Sequence, residues 1–86
     1  MNHLVNIGFG NVVNADKVLA IIHPDSAPAK RMVQRAREAE RLVDATQGRK
    51  TKAVILLESN HIVTSALQPD TLTVRFHTPV EKEENR

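Results

Sequence analysis

The stretch Lys17-Val18-Leu19-Ala20-Ile21-Ile22-His23-Pro24-Asp25-Ser26-Ala27-Pro28 decides the fold, because two unlike elements meet inside it. Its first half is an apolar run with β-branched side chains, the composition of a strand buried on at least one face. Pro24 stops that strand. Ser26 then supplies an N-cap hydroxyl, and Pro28 falls in the first helical turn, where a missing N–H costs nothing. The chain that follows is rich in helix formers, so the spacing predicts one long helix over 27–43. At 100° per residue Met32, Val33, Ala36, Ala39 and Val43 gather on one side of it, with Lys30, Arg37 and Arg41 aligned opposite.

Working outward, residues 3–9 read as a strand carrying Leu4, Val5, Ile7 and Phe9, closed by the turn signal Gly8-Phe9-Gly10-Asn11. Val12-Val13-Asn14 reads as a second short strand, and Asn14-Ala15-Asp16 as turn chemistry. Beyond the helix, residues 44–48 lead away from it, and 52–57 form the second strong strand. Glu58-Ser59-Asn60-His61 is a polar turn, after which 62–66 return as the hairpin partner. Residues 70–77 suit a capped helix or a strand, and the reading leans to a helical turn. The charged segment 80–86 has nothing to bury and is expected to be disordered, leaving 1–79 as a single domain. The expected class is α+β: a small, mainly antiparallel sheet, with the long helix between an N-terminal strand pair and a C-terminal hairpin.

Eighty-six residues with two Phe, no Trp or Tyr and no cysteine build a thin core without a covalent staple. Below roughly 70–80 residues a fold usually needs a staple, a metal or a partner subunit, and this chain sits just above that line, so a homo-oligomer is expected. The longest apolar runs, 18–22 and 53–57, fall far short of the roughly 20 residues that cross a bilayer, and no membrane partner is expected. The start of the chain lacks the features of a secretory signal, which makes the cytoplasm the expected compartment.

The net charge of +2 conceals an uneven distribution. Between residues 30 and 52 eight Lys/Arg face three Asp/Glu, while the remainder is net acidic. One basic sector attracts a polyanion; the competing explanation is a solvated helix face. The run Gly48-Arg49-Lys50-Thr51-Lys52 stands apart, as a glycine-led loop entering a strand. Strand alternation would send Lys50 and Lys52 to one side and Arg49 to the other, so the loop must be irregular for the three to act together. Such a loop suits phosphate, although the same charges could serve as gatekeepers beside a buried strand. Phe9 and Phe76 are both expected to lie away from this loop. Without a stacking platform, duplex binding through the backbone fits better than single-strand recognition.

Catalytic chemistry is not expected. His3, His23, His61 and His77 are scattered with no i,i+4 pair, so no metal site is expected, and Gly8-Phe9-Gly10 is only half of a dinucleotide fingerprint. Ser59, Ser65 and His61 could be imagined as a nucleophile and its base, but nothing around them builds a pocket. The chain is therefore read as a non-enzyme without a cofactor.

The combination of Asn6-Ile7-Gly8-Phe9-Gly10-Asn11, Ser26-Ala27-Pro28 with Lys30-Arg31, Asp44-Ala45-Thr46 with Gly48-Arg49-Lys50-Thr51, and Ser65-Ala66-Leu67-Gln68-Pro69 resembles the RemA family, small bacterial regulators of extracellular-matrix and biofilm genes. The resemblance spans about residues 4–75. It implies a LytTR-like fold and a DNA-binding activator assembled as a ring of about eight subunits, an octamer, with RNA polymerase as a further partner. It also implies DNA contacts at Lys17, Arg49 and Lys50, to which the charge reading adds Lys52. Lys17 and Lys50 stand where arginine is common in the family, so phosphate contact carries over more safely than base reading. Pro28, with Lys30, Arg31 and Arg35, is assigned to a subunit interface or to a second basic strip. An RNA-binding module and a protein-binding adaptor ring remain the other classes.

Overall fold

A computed structural model describes residues 3–77. The chain opens with an antiparallel hairpin, β1 (Leu4–Gly8) and β2 (Asn11–Asn14), which forms a two-stranded sheet of its own. A short 3-10 turn at Ala15–Lys17 follows, with the Asn14 side chain accepting from the Asp16 N–H at 2.9 Å. Then come β3 (Val18–Ile22), helix α1 (Ala27–Glu38), β4 (Leu42–Asp44), β5 (Ala53–Leu57), β6 (Ile62–Ser65) and helix α2 (Pro69–His77). The four later strands make one sheet in the order β3-β5-β6-β4. β5 is antiparallel to both its neighbours, whereas β4 runs parallel to β6.

Alternation along β5 explains the layering. Ala53, Ile55 and Leu57 turn to one face, where Ile7 of β1, Val63 and Leu72 of α2 complete a core. Val54 and Leu56 turn to the other, against Ala36, Met32 and Val33 of α1. The sheet is thus filled on both sides, by α1 on one and by the hairpin with α2 on the other. Ser65 ties the hairpin down: its buried hydroxyl donates to the Ile7 carbonyl at 2.8 Å and accepts from the Leu67 N–H at 3.0 Å.

The α+β class holds, and the helical turn after residue 69 is present as α2, but the single long helix is corrected. α1 begins where expected, with the Ser26 hydroxyl accepting from the Ala29 N–H at 3.1 Å, and stops at Glu38. The Arg41 N–H reaches the Ala36 carbonyl at 2.7 Å and the Glu40 N–H reaches the Arg37 carbonyl at 3.1 Å. That double closure requires a left-handed residue, and Glu40 supplies it with φ +59. Residues 42–44, expected in helix or leaving it, are instead strand β4. Val43 therefore lies exposed rather than on the buried helical face. The expected disorder of 80–86 lies outside the described residues.

Candidate nucleic-acid interface

The segment from Ala45 to Lys52 crosses from β4 to β5 without regular structure. Its first half is a tight turn in which the Arg49 N–H donates to the Thr46 carbonyl at 3.0 Å. Gln47 (φ +56) and Gly48 (φ +80) are both left-handed, the pattern of a type I′ turn. Asp44 anchors the base: its Oδ1 accepts from the Thr46 N–H (2.9 Å), the Thr46 hydroxyl (2.6 Å) and the Thr64 hydroxyl (3.0 Å). Those bonds hold the Asp44 carboxyl below its ordinary pKa. The Thr46 hydroxyl is the largest cause, followed by the Thr46 N–H; Thr64 and the Arg37 charge add to them against partial desolvation.

Irregular backbone lets the three cations converge. Arg49, Lys50 and Lys52 line one concavity of about 420 Å³ with Gly8, Phe9, Ala66 and Leu67. Among the described residues the only ion pairs are Lys17–Glu58 and His23–Asp25, so none of these three is ion-paired there; Asp25 shares an adjoining cavity with Lys50 and Lys52. On the other side of Thr51, Lys30 and Arg37 line a second cavity, of about 320 Å³, with Pro24 and Asp44. The start of α1 therefore adjoins the basic loop across Pro24 and Thr51. Pro28, Arg31 and Arg35 lie exposed in the same helix. Arg41 does not share the line of Lys30 and Arg37, because α1 has already ended; its guanidinium donates to the Asn60 carbonyl.

Lys17 is not brought to this group. It precedes Val18, which pairs with Leu57 at the far end of β5, so about 17 Å of strand separates it from Lys52. There it meets Glu58, with Nζ to carboxylate 3.7 Å.

Phe9 lies beside the basic loop, against expectation. It was expected away from the basic loop, yet the Arg49 guanidinium lies over its ring, 5.9 Å from the centroid. Forty residues separate the two, and only the seating of the β1–β2 hairpin on the sheet joins them. An aromatic between two glycines was the visible signal. Phe76, by contrast, packs against the core. Ser59 Oγ and His61 Nδ1 do meet, at 2.7 Å, in an exposed turn, but among the described residues His61 has no carboxylate partner to orient it.

Comparison with known proteins bears on the whole described chain. The model of the RemA-like family, described as extracellular matrix regulatory protein A-like, matches residues 4–76. A regulatory protein of Pseudothermotoga lettingae is 51% identical over 86 residues, covering 99% of this chain and 94% of its own. One from Shouchella clausii is 52% identical over 75 residues, covering 87% and 86%. Another, from Caldicellulosiruptor saccharolyticus, is 54% identical over 78 residues, covering 91% and 77%.

Proposed function

The chain belongs to the RemA-like family, and from that premise we propose that it is a non-enzymatic regulator that binds duplex DNA and activates extracellular-matrix and biofilm genes in the cytoplasm, working with RNA polymerase. The observation that carries this reading is the cluster Arg49, Lys50 and Lys52 on an irregular loop at the surface, where none of the three is ion-paired among the described residues. Cations held in no direct ion pair are available to phosphates, and displaced counterions then drive binding.

One subunit offers few such contacts. A homo-oligomeric ring of about eight LytTR-like subunits multiplies them, and linked weak contacts gain avidity through effective concentration. Lys17, at the opposite end of the sheet from Arg49, adds a further cation to the DNA path, reached by the same duplex or through the next subunit of the ring. Among the described residues neither β3 nor β4 has a strand on its outer edge, and Leu19 and Val43 on them are exposed to such neighbours. Pro28, Lys30, Arg31 and Arg35 lie beside the loop and extend the basic surface or meet the next subunit.

The test is binding of a defined duplex across a salt series. Log affinity should fall with log salt by about 0.9 per phosphate neutralised. The double change Arg49→Glu with Lys50→Glu should abolish binding while leaving a folded oligomer. A flat salt dependence, or full binding by the double variant, sinks the proposal. Matched RNA belongs in the same experiment: Phe9 under Arg49 gives the loop an aromatic neighbour, and a preference for unpaired RNA would favour the RNA-binding class.

A further inference from the structure

The tip of the β1–β2 hairpin carries a feature that phosphate binding alone does not require. Phe9 is 50% exposed in a chain with only two aromatic residues, the other of which packs against the core. Its backbone is left-handed, φ +56, between Gly8 at +114 and Gly10 at +81. A bulky residue in that conformation is costly, and such cost is tolerated where the surroundings enforce it. Here they do. The Asn6 side chain accepts from the Gly8 N–H at 2.7 Å, the Asn11 side chain donates to the Gly8 carbonyl at 3.0 Å, and Leu67 packs 3.5 Å from where a Gly8 side chain would begin. The turn is thus braced from both strands and from the segment after β6, and it keeps half of the ring exposed at the edge of the basic concavity.

What surrounds the ring names its partner. Arg49 lies over it, and Lys50 and Lys52 line the same concavity. A half-exposed apolar ring among cations, on a braced turn, matches the chemistry of proteins that insert a wedge between base pairs from the minor groove, with arginine entering beside it and lysines on the phosphates. We propose that Phe9 is such a wedge: it enters a base step from the minor groove next to Arg49, unstacks it, and kinks the duplex toward the major groove. The proposal rests on the duplex-binding reading above and adds the residue that deforms the DNA. A single-strand platform would need successive exposed rings, and Phe9 is the one aromatic among the described residues at this loop. Repeated around a ring, one kink per subunit would curve the duplex along the rim.

The experiment uses the whole chain with a duplex of about 30 base pairs, labelled at both ends for energy transfer and carrying 2-aminopurine at flexible pyrimidine–purine steps. Wild type should raise both the aminopurine fluorescence and the end-to-end transfer. Phe9→Ala should keep the salt slope, lose about five- to tenfold in affinity, and lose both signals. Phe9→Leu, which keeps an apolar wedge, should recover most of the bend. Circular dichroism and mass confirm that each variant remains assembled. Unchanged bending and unstacking by Phe9→Ala overturn the wedge while leaving phosphate binding intact. Absence of any duplex affinity in wild type overturns the DNA reading itself, and the wedge with it. Phe9-dependent binding confined to single-stranded RNA also overturns the wedge.

Discussion

Asp44 shows how one carboxylate can shape a site made of cations. Its Oδ1 takes three donors at the foot of the basic loop, so the turn that carries Arg49 begins from a fixed point. Because these bonds favour the charged form, the folded-state pKa lies below the ordinary 3.8. A depressed carboxyl pKa contributes stability that is fully present above the unfolded value and is lost as pH falls through the folded one. Asp44→Asn should therefore be less stable than wild type by about 1 kcal/mol near neutrality, a figure reduced for the exposure of the group. Urea denaturation from pH 7 downward should show that gap constant to about pH 5 and closing below it. A gap that persists unchanged into acid would contradict this role. Nothing in the spacing of Asp44, Thr46 and Thr64 announced the cluster, because Thr64 arrives through the parallel pairing of β4 with β6.

The elements that carried their own local signals were legible. Ser26 and Pro28 mark the start of α1, the glycine pair marks the hairpin turn, and the apolar runs mark β3 and β5. The end of α1 was not legible, because its left-handed closing residue is Glu40, where glycine would have given the position away. Helix propensity favours continuing through 39–43; the pairing of Leu42 and Val43 with Ile62 and Val63, and the packing of Leu42 against the α1 core, override it. A left-handed non-glycine residue costs about 1–2 kcal/mol relative to its relaxed state. Glu40→Gly should accordingly stabilise the protein by about 0.5–1 kcal/mol, read as a raised denaturation midpoint at unchanged slope. A loss of stability would show that Glu40 makes a contribution its backbone conformation does not reveal.

For the whole molecule, the amount of exposed apolar surface bears on assembly. Leu4 and Val12 share the outer face of the hairpin, with Leu19 and Val43 on the two sheet edges, and each is at least half exposed in the single chain. Covering them in a subunit contact is the simplest use for them. Light scattering should return a mass that is a multiple of 9.6 kDa, about eightfold for the proposed ring, and a clean monomer at micromolar concentration would remove the ring and its avidity. By itself the sequence determined the α+β class, the strands other than β4, the start of α1, and the concentration of charge on the 48–52 loop, since turn residues, caps, periodicity and charge all act over a few positions. Only the tertiary structure decided where α1 stops, that 42–44 pairs as a parallel strand, that Lys17 lies far from Arg49, and that Phe9 sits beneath Arg49. Those outcomes depend on contacts between residues distant along the chain. Their free energy comes from burial and from satisfying backbone hydrogen bonds across the sheet, and no local pattern encodes it.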